Sequence, residues 1–428
     1  MEKKKILLDA WFSPDDKEEL WLWAAESGLN EMTIFPANVE TPEYLLSSLG
    51  YCKKYGLKAK ILMAGREEYW EGVRWEELLK GYEDVVSGFD LYDEAVVDKE
   101  IAIASYGVNS RTCFAEIAPL VGYVSKHFPN AKIFSTIFPN YGTNPILGIR
   151  DDQTYSDYVK AFCDTVLAVI PEGKEKWLGT DFYPYYLDRF DGGLLRNLED
   201  LQYYGKPLDA NLFLYIQTMG SKRLLWRFPN KKEIALQYYV ALAYGVKCIS
   251  MFCYQQPPCS HLFGYTDGEA MITDGYSPRE DGSKGEYKRT QSYYDVQALN
   301  REIEPYSEEL AKAKWQGVLT VKGTKRAERD DFSALLYSLP SYKGIKKVSA
   351  AENLLVGCFQ DAGKDKYMLV NYSDPLDFAD SEVEIVFKDA TELVVYKNGT
   401  CKTVRLEGGR YQTKLTGGEG EFVVPVKS

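Results

Sequence analysis

Three acidic residues stand where they could transfer protons. Asp93 and Glu94 close the run GFDLYDEAV (88–96), which otherwise has the composition of a buried strand, and Asp181 lies in a second apolar run, WLGTDFYP (177–184). Adjacent acids are most often a solvated turn. Carboxyl groups that converge on one pocket can instead divide proton donation from nucleophilic attack or the activation of water.

Aromatic and polar side chains accompany the acids where apolar runs end. We expect them to contact a ligand if the run ends meet at one surface. The expected contact residues are Asp9, Trp11, Tyr92, Tyr183, Tyr185, Gln217 and Tyr254. Ordinary core packing must account for most of the other aromatic rings, so only rings beside run-end acids count towards a site.

Eight apolar, β-branched or aromatic runs alternate with helical patterns over the first 300 residues or so. They lie at 5–12, 31–39, 57–65, 85–94, 131–139, 177–184, 211–218 and 246–254. Several intervening segments begin after Asp, Ser, Thr or Asn and end at Gly, as helix caps require. The alternation predicts a (β/α)8 barrel, and no Gly-rich phosphate loop follows the first strand to favour a doubly wound sheet. Catalytic groups of such barrels lie at the carboxyl ends of the strands, where the acids fall.

The pattern changes after Trp315. Residues 316–428 lose the helical periodicity and read as short alternating strands such as DKYMLVNYS, EVEIVFK and GEFVVPV. We therefore predict two domains, a (β/α)8 barrel over residues 1–315 and a C-terminal antiparallel β-sandwich over 316–428.

Composition excludes several classes of partner and cofactor. The net charge is −12, acids and bases are interspersed, and no basic stripe that could bind nucleic acid is present. With two histidines in the chain, zinc sites and histidine-based triads are disfavoured, so we expect no metal and no cofactor. The sequence contains no apolar run of about 18 residues, so no membrane span is predicted. Composition gives no indication of the oligomeric state.

The eight cysteines show no CxxC spacing, which favours buried free thiols in a reducing compartment. The first residues, MEKKKILLDAWF, lack the apolar stretch of a signal peptide. We expect a cytoplasmic protein, or a secreted one whose leader lies outside this sequence.

Acids and aromatic rings at one barrel rim are typical of a carbohydrate site. Cleavage of a glycosidic bond needs a carboxylic acid to protonate the leaving oxygen and usually a second carboxylate, while the CH faces of sugars stack on aromatic rings. The sequence therefore predicts a glycoside hydrolase. A carbohydrate-binding barrel without catalysis is the alternative.

The sequence resembles bacterial (β/α)8-barrel glycoside hydrolases, similar to uncharacterised relatives of β-galactosidase-type and hexosaminidase-type enzymes. The resemblance rests on GFDLYDEA, where that group has a strand ending in Asp-Glu-Pro, and on IFSTIFPNYG, GTDFYPYY and ALQYYVALAYGVKCISMFCYQQP. Ala95 stands where the group usually has Pro.

The resemblance implies that Glu94 is the proton donor. Related retaining barrels carry a nucleophilic Glu at the end of the seventh strand, where this chain has Gln217. Two candidates for the second acid remain open. Asp181 could attack or activate water, or Asp93 could orient a substrate's 2-acetamido group, with Tyr183 holding its oxygen. Neighbouring strand residues point to opposite faces, so Asp93 and Glu94 share a pocket only if the strand bends there.

Overall fold

The computed structural model describes residues 4–36, 42–63, 75–106, 112–221, 224–257, 270–275, 285–325 and 329–427. Its first part is a sheet of eight parallel strands surrounded by helices, which confirms the predicted (β/α)8 barrel. Each predicted strand run coincides with one strand of this sheet, and β4 extends one residue beyond its run. The strands are β1 (Leu7–Ala10), β2 (Glu31–Ile34), β3 (Lys58–Leu62), β4 (Val86–Ala95), β5 (Lys132–Ile137), β6 (Trp177–Phe182), β7 (Asn211–Gln217) and β8 (Val246–Phe252).

The barrel closes between β1 and its two neighbours. β1 pairs in parallel with β8, with Asp9 opposite Ser250. On the other side, Asn30 joins β1 to the start of β2, because its side-chain oxygen accepts from Leu8 N at 2.9 Å and its amide donates to Ile6 O at 3.0 Å. A single asparagine therefore supplies contacts to β1 at the seam between the first two strands.

Helices cover the outer surface of the barrel, and an extensive apolar layer lies between them and the strands. The helices are α1 (Glu18–Glu26), α2 (Glu43–Tyr55), α3 (Trp75–Leu78), α4 (Lys99–Tyr106), α5 (Phe114–His127), α6 (Asn144–Leu147), α7 (Tyr155–Phe162), α8 (Gly193–Gly205), α9 (Lys231–Ala243) and α10 (Gln291–Lys312). Side chains alternate along the strands between this layer and the barrel interior. On β1, Leu8 and Ala10 join the helix layer, and Asp9 between them points inward.

The C-terminal part is an antiparallel sandwich, as predicted. It contains β9 (Lys314–Val321), β10 (Ile345–Ala350), β11 (Leu354–Asp361), β12 (Lys364–Asn371), β13 (Ser381–Phe387), β14 (Ala390–Lys397), β15 (Thr400–Arg405), β16 (Arg410–Leu415) and β17 (Gly420–Lys427). One sheet has the order β10-β13-β16 and the other β15-β14-β17-β12-β11-β9. A second apolar core lies between them.

Helix α9 lies between the barrel and the sandwich. It contacts β7 and β8 on one side and β11, β12 and β17 on the other, and every residue from Glu233 to Ala243 is buried. A Cβ atom on Gly357 of β11 would lie 2.4 Å from the Ala243 carbonyl oxygen. The close approach of α9 to the larger sheet therefore requires glycine at this position.

Within the described ranges, every helix is too short or too polar to cross a lipid bilayer. The seven described cysteines are free thiols, and five of them are buried. The eighth, Cys259, lies outside the described residues.

Candidate functional site

A cavity of about 330 Å³ opens at the carboxyl ends of the barrel strands. Its walls combine carboxyl groups with aromatic and apolar side chains from the strand ends and the loops that follow them. The lining residues are Trp11, Phe12, Asp93, Glu94, Tyr141, Asp181, Tyr183, Tyr215, Leu224, Trp226 and Phe252. This edge is where barrels of this type place their ligand sites.

Strand β4 is distorted so that both of its terminal acids reach the cavity. Its pairing with β5 shifts register between Asp90 and Asp93 and again between Asp93 and Ala95. As a result Leu91 and Tyr92 both pack towards the helix layer, and Asp93 and Glu94 both line the cavity. The bulges thus resolve the conflict between strand alternation and a shared pocket.

Glu94 has a strained backbone. Its φ of 56° lies in the left-handed region, which non-glycine residues rarely adopt. Such strain persists only where the surrounding structure enforces it, and it is concentrated at functional sites. Glu94 lines the cavity in this conformation.

Asp93 and Asp181 form an electrostatically coupled carboxyl pair. Asp93 is accessible through the cavity, yet its pKa is raised to about 7. The larger cause is the loss of hydration of its carboxyl among protein groups, and the second is the charge of Asp181. The Lys60 ammonium acts in the opposite direction and lowers this pKa. Asp181, 8% exposed, has its pKa raised to about 7 by burial, opposed by hydrogen bonds from its own backbone N–H and from Tyr183. Because the two carboxyls repel each other when ionised, the pair retains a proton near neutral pH.

Tyr141 follows β5 and faces the same acids, with 41% of its surface exposed. Burial of the hydroxyl and the nearby charges of Asp181 and Glu94 raise its pKa well above the usual value. Its ring packs edge-on against Phe182 with centroids 5.3 Å apart. The hydroxyl is therefore a protonated donor close to two carboxyl groups.

Aromatic rings form the remaining wall. Tyr183 packs against Trp226 and Phe252 at centroid distances of 4.8 and 4.9 Å, and Trp11 packs edge-on against Tyr215 at 5.1 Å. Rings that hold one another in this way present fixed apolar faces at little entropic cost on binding.

Below the cavity floor lies a buried polar network. The Lys60 ammonium lies 2.7 Å from Asp9 Oδ2 and donates to the Tyr215 hydroxyl at 3.0 Å, and that hydroxyl donates to Asp90 Oδ2 at 3.3 Å. Thr33 and Ser250 also donate to Asp9, at 2.9 and 2.7 Å. Asp9 thus lies inside the barrel, out of reach of a ligand in the cavity.

The donor atoms of Asp9, Glu31 and Cys248 lie within 4.8 Å of one another. They do not suit a metal ion, because the Lys60 ammonium already neutralises Asp9 and burial raises the pKa of the Cys248 thiol well above its usual value. A protonated thiol is a poor metal ligand. We assign no metal to this group.

Gln217 is a structural residue in this chain. It is fully buried, its Oε1 accepts from Tyr185 N at 2.8 Å, and its amide donates to the carbonyls of Tyr185 and Arg227 at 3.0 and 3.1 Å. Gln217, at the end of β7, therefore holds the loops after β6 and β7 together. Its side chain does not line the cavity.

Three other expected contact residues also lie outside the cavity lining. Tyr92 packs towards the helices, where its hydroxyl accepts from Thr112 N at 3.2 Å. Tyr185 is buried in the helix layer, and Tyr254 donates from there to Leu20 O at 2.9 Å. Of the expected site residues, the cavity brings together Asp93, Glu94, Asp181, Trp11 and Tyr183.

The lining residues that were not expected from the sequence are Phe12, Tyr141, Tyr215, Leu224, Trp226 and Phe252. The run IFPNYG could have indicated Tyr141, since it follows directly on the end of β5. Phe252 is the last residue of β8 and has the same strand-end position as the residues that were selected. Trp226 lies within a loop after β7, for which the sequence carries no positional signal.

The resemblance to glycoside-hydrolase barrels is confirmed at the level of the fold by a solved structure with a TM-score above 0.5. A β-galactosidase from the psychrophilic Marinomonas ef1 has a TM-score of 0.51 at 11% identity, over 73% of this chain and 62% of its own. A β-L-arabinopyranosidase from Geobacillus stearothermophilus reaches 0.48 at 10% identity, covering 100% and 98% of the two chains. A glucosidase from Croceicoccus marinus reaches 0.46 at 12%, covering 100% and 96%. No family model matches the sequence, and no curated protein matches it.

Proposed function

We propose that the protein is a glycoside hydrolase that cleaves a glycosidic bond in an oligosaccharide or a small glycoside. The observation that carries the proposal is the meeting of Glu94 with the coupled Asp93–Asp181 pair in one aromatic-lined cavity at the carboxyl ends of the strands. Hydrolysis of this kind needs a proton donor, a second carboxylate and a surface on which a sugar can stack.

Glu94 is the general acid and base in this proposal. The Asp93–Asp181 pair supplies the second carboxylate. When the pair holds one proton, one of its two carboxyl groups is still ionised. Asp181 acts directly on the anomeric carbon or on water, or the pair orients a 2-acetamido group of the substrate for internal attack. Trp11, Tyr183 and Trp226 provide faces for the sugar ring.

The test is hydrolysis of a panel of nitrophenyl glycosides with and without 2-acetamido groups. Glu94→Gln and Asp181→Asn should each lower activity by a factor of about 100 or more. Asp188→Asn is the matched control, because Asp188 lies in the loop after β6 with its side chain 80% exposed. A preference for acetamido sugars would identify substrate assistance.

One observation favours a carbohydrate-binding barrel as the second candidate. The side chain at the end of β7 is an amide fully engaged with backbone groups, so that position offers no carboxylate. Saturable sugar binding that survives both acid substitutions, without turnover of any glycoside, would support this alternative over hydrolysis.

A further inference from the structure

The network beneath the cavity places one buried ammonium among several carboxyl groups. Lys60 of β3 is fully buried and contacts Asp9 of β1 and the hydroxyl of Tyr215 of β7. The ring of Tyr215 forms part of the cavity wall above. Lys60 therefore lies directly behind a residue that a ligand would touch.

The two aspartates near Lys60 differ in how many hydrogen bonds they accept. Asp9 receives hydrogen bonds from Thr33 and Ser250 in addition to Lys60, and all of its partners are buried. Asp90 receives one from Tyr215, and its Oδ1 has no hydrogen-bond partner in the described part of the chain. Asp9 thus fixes the position of the ammonium, and Asp90, three residues before Asp93 on β4, is less completely hydrogen-bonded.

Other ionisable groups border the network from the remaining strands. Cys248 of β8 faces Lys60 as a protonated thiol, and Glu31 of β2 is paired with Lys132 at 3.9 Å. Above the floor, Asp93 faces Asp181, and Tyr141 faces Asp181 and Glu94. Among the described residues, Lys60 is the cation that acts on both Asp90 and Asp93.

We propose that Lys60 is a positioning residue whose ammonium, held by Asp9 and Tyr215 beneath the cavity floor, favours the ionised form of Asp93, and that Asp90 opposes it. The catalytic consequence rests on the proposed function, whereas the effect on Asp93 itself does not. Lys60 touches no ligand; it sets the charge that the acid pair presents to one.

The electrostatic interactions of Lys60 and Asp90 with Asp93 have the directions that this role requires. The Lys60 charge lowers the pKa of Asp93 against the larger effects of burial and Asp181. Burial raises the pKa of Asp90 to about 7, Lys60 lowers it, and Asp93 raises it. Because the repulsion between two carboxylates is mutual, an ionised Asp90 must also disfavour ionisation of Asp93.

The experiment is a carbon-13 NMR titration of the aspartate side-chain carboxyls in the full chain without substrate, with Asp93 assigned from the Asp93→Asn spectrum. Lys60→Met should raise the apparent pKa of Asp93 by about one pH unit or more, and Asp90→Asn should lower it. Asp188→Asn is the control and should leave the Asp93 titration unchanged. The opposite signs separate this role from a purely structural one.

Asp90→Asn preserves the Lys60–Asp9 ion pair, so it remains a test if Lys60→Met does not fold. An Asp93 titration that stays unchanged or rises in Asp90→Asn overturns the proposal, as does an unchanged titration in a folded Lys60→Met. If a glycoside is hydrolysed, the acid limb of kcat/KM should move in the same two directions. Opposed titration shifts without turnover of any glycoside would reject the hydrolase and leave this inference standing.

Discussion

The Asp93 carboxyl at the end of β4 lies close enough to the Asp181 carboxyl on β6 for the charge of Asp181 to raise the pKa of Asp93. Two strands that are not adjacent in the barrel thus present one coupled acid pair. The pair forms because two register shifts turn the end of β4 into the cavity. Burial of the two carboxyl groups and the repulsion between their charges keep a proton on the pair near neutral pH.

Replacing Asp90 should stabilise the protein increasingly as pH rises. Burial raises the pKa of Asp90 to about 7, above its unfolded value of about 4, so the folded state binds the proton more tightly. Stability attributable to Asp90 is therefore greatest below about pH 4 and falls as pH rises towards 7. Asp90→Asn removes this dependence.

Denaturant unfolding of the wild type and of Asp90→Asn between pH 4 and 8 measures the effect. The difference in unfolding free energy should move in favour of the variant by on the order of 2 to 4 kcal/mol over that range. A difference that is independent of pH would show that Asp90 does not titrate in this window.

The strained backbone of Glu94 predicts that glycine is better tolerated there than alanine. Both Glu94→Gly and Glu94→Ala remove the carboxyl, but only glycine adopts a φ of 56° without steric cost. The glycine variant should be the more stable by about 1 kcal/mol in thermal or denaturant unfolding. Both variants should lack hydrolase activity, and a more stable alanine variant would contradict the interpretation of strain.

Introducing an acid at the end of β7 should damage the fold and leave activity no higher. Gln217→Glu replaces an amide that donates to two carbonyl oxygens at 3.0 and 3.1 Å with an oxygen that repels them. The expected cost is about 2 to 4 kcal/mol of unfolding free energy. A variant as stable as the wild type with increased turnover would instead mean that the position can serve as a nucleophile.

Trp226 should contribute to sugar binding more than to the chemical step. Its ring is fixed against Tyr183 in the cavity wall, so Trp226→Ala removes a stacking face without touching an acid. We expect KM to rise by about 10-fold with a smaller change in kcat, measured on any glycoside that is turned over. Tyr254→Phe is the matched control, since it removes a hydrogen bond to Leu20 O outside the cavity and should alter stability alone.

The eight strands were predictable because each is a short apolar run bounded by helix signals, and the change of pattern after Trp315 predicted the sandwich. The pattern of helix α8 is harder to recognise in the sequence, because several of its nine buried residues are polar. Its sequence, GLLRNLEDLQYYG, carries polar residues such as Asn197 and Asp200 that are buried through specific contacts.

The acids of the site were predictable from their position at strand ends, and several of its contacts were not. Asp9 is the second-last residue of β1, yet it lies inside the barrel, because the depth of a strand residue depends on the register with the neighbouring strands. Tyr92 was selected beside Asp93, and the bulge that brings Glu94 inward turns Tyr92 outward. Bulges and loop positions, such as that of Trp226, arise from tertiary packing that a single sequence does not encode as a pattern.

In the proposed reaction, Glu94 donates a proton to the leaving sugar oxygen. The most direct measurement compares Glu94→Gln with the wild type on two glycosides of the same sugar, one with an alkyl leaving group and one with dinitrophenol, which departs without protonation. We predict a loss in kcat/KM of about 100-fold or more on the alkyl glycoside and a much smaller loss on the dinitrophenyl glycoside. Equal losses on both substrates would contradict the assignment of Glu94 as the general acid.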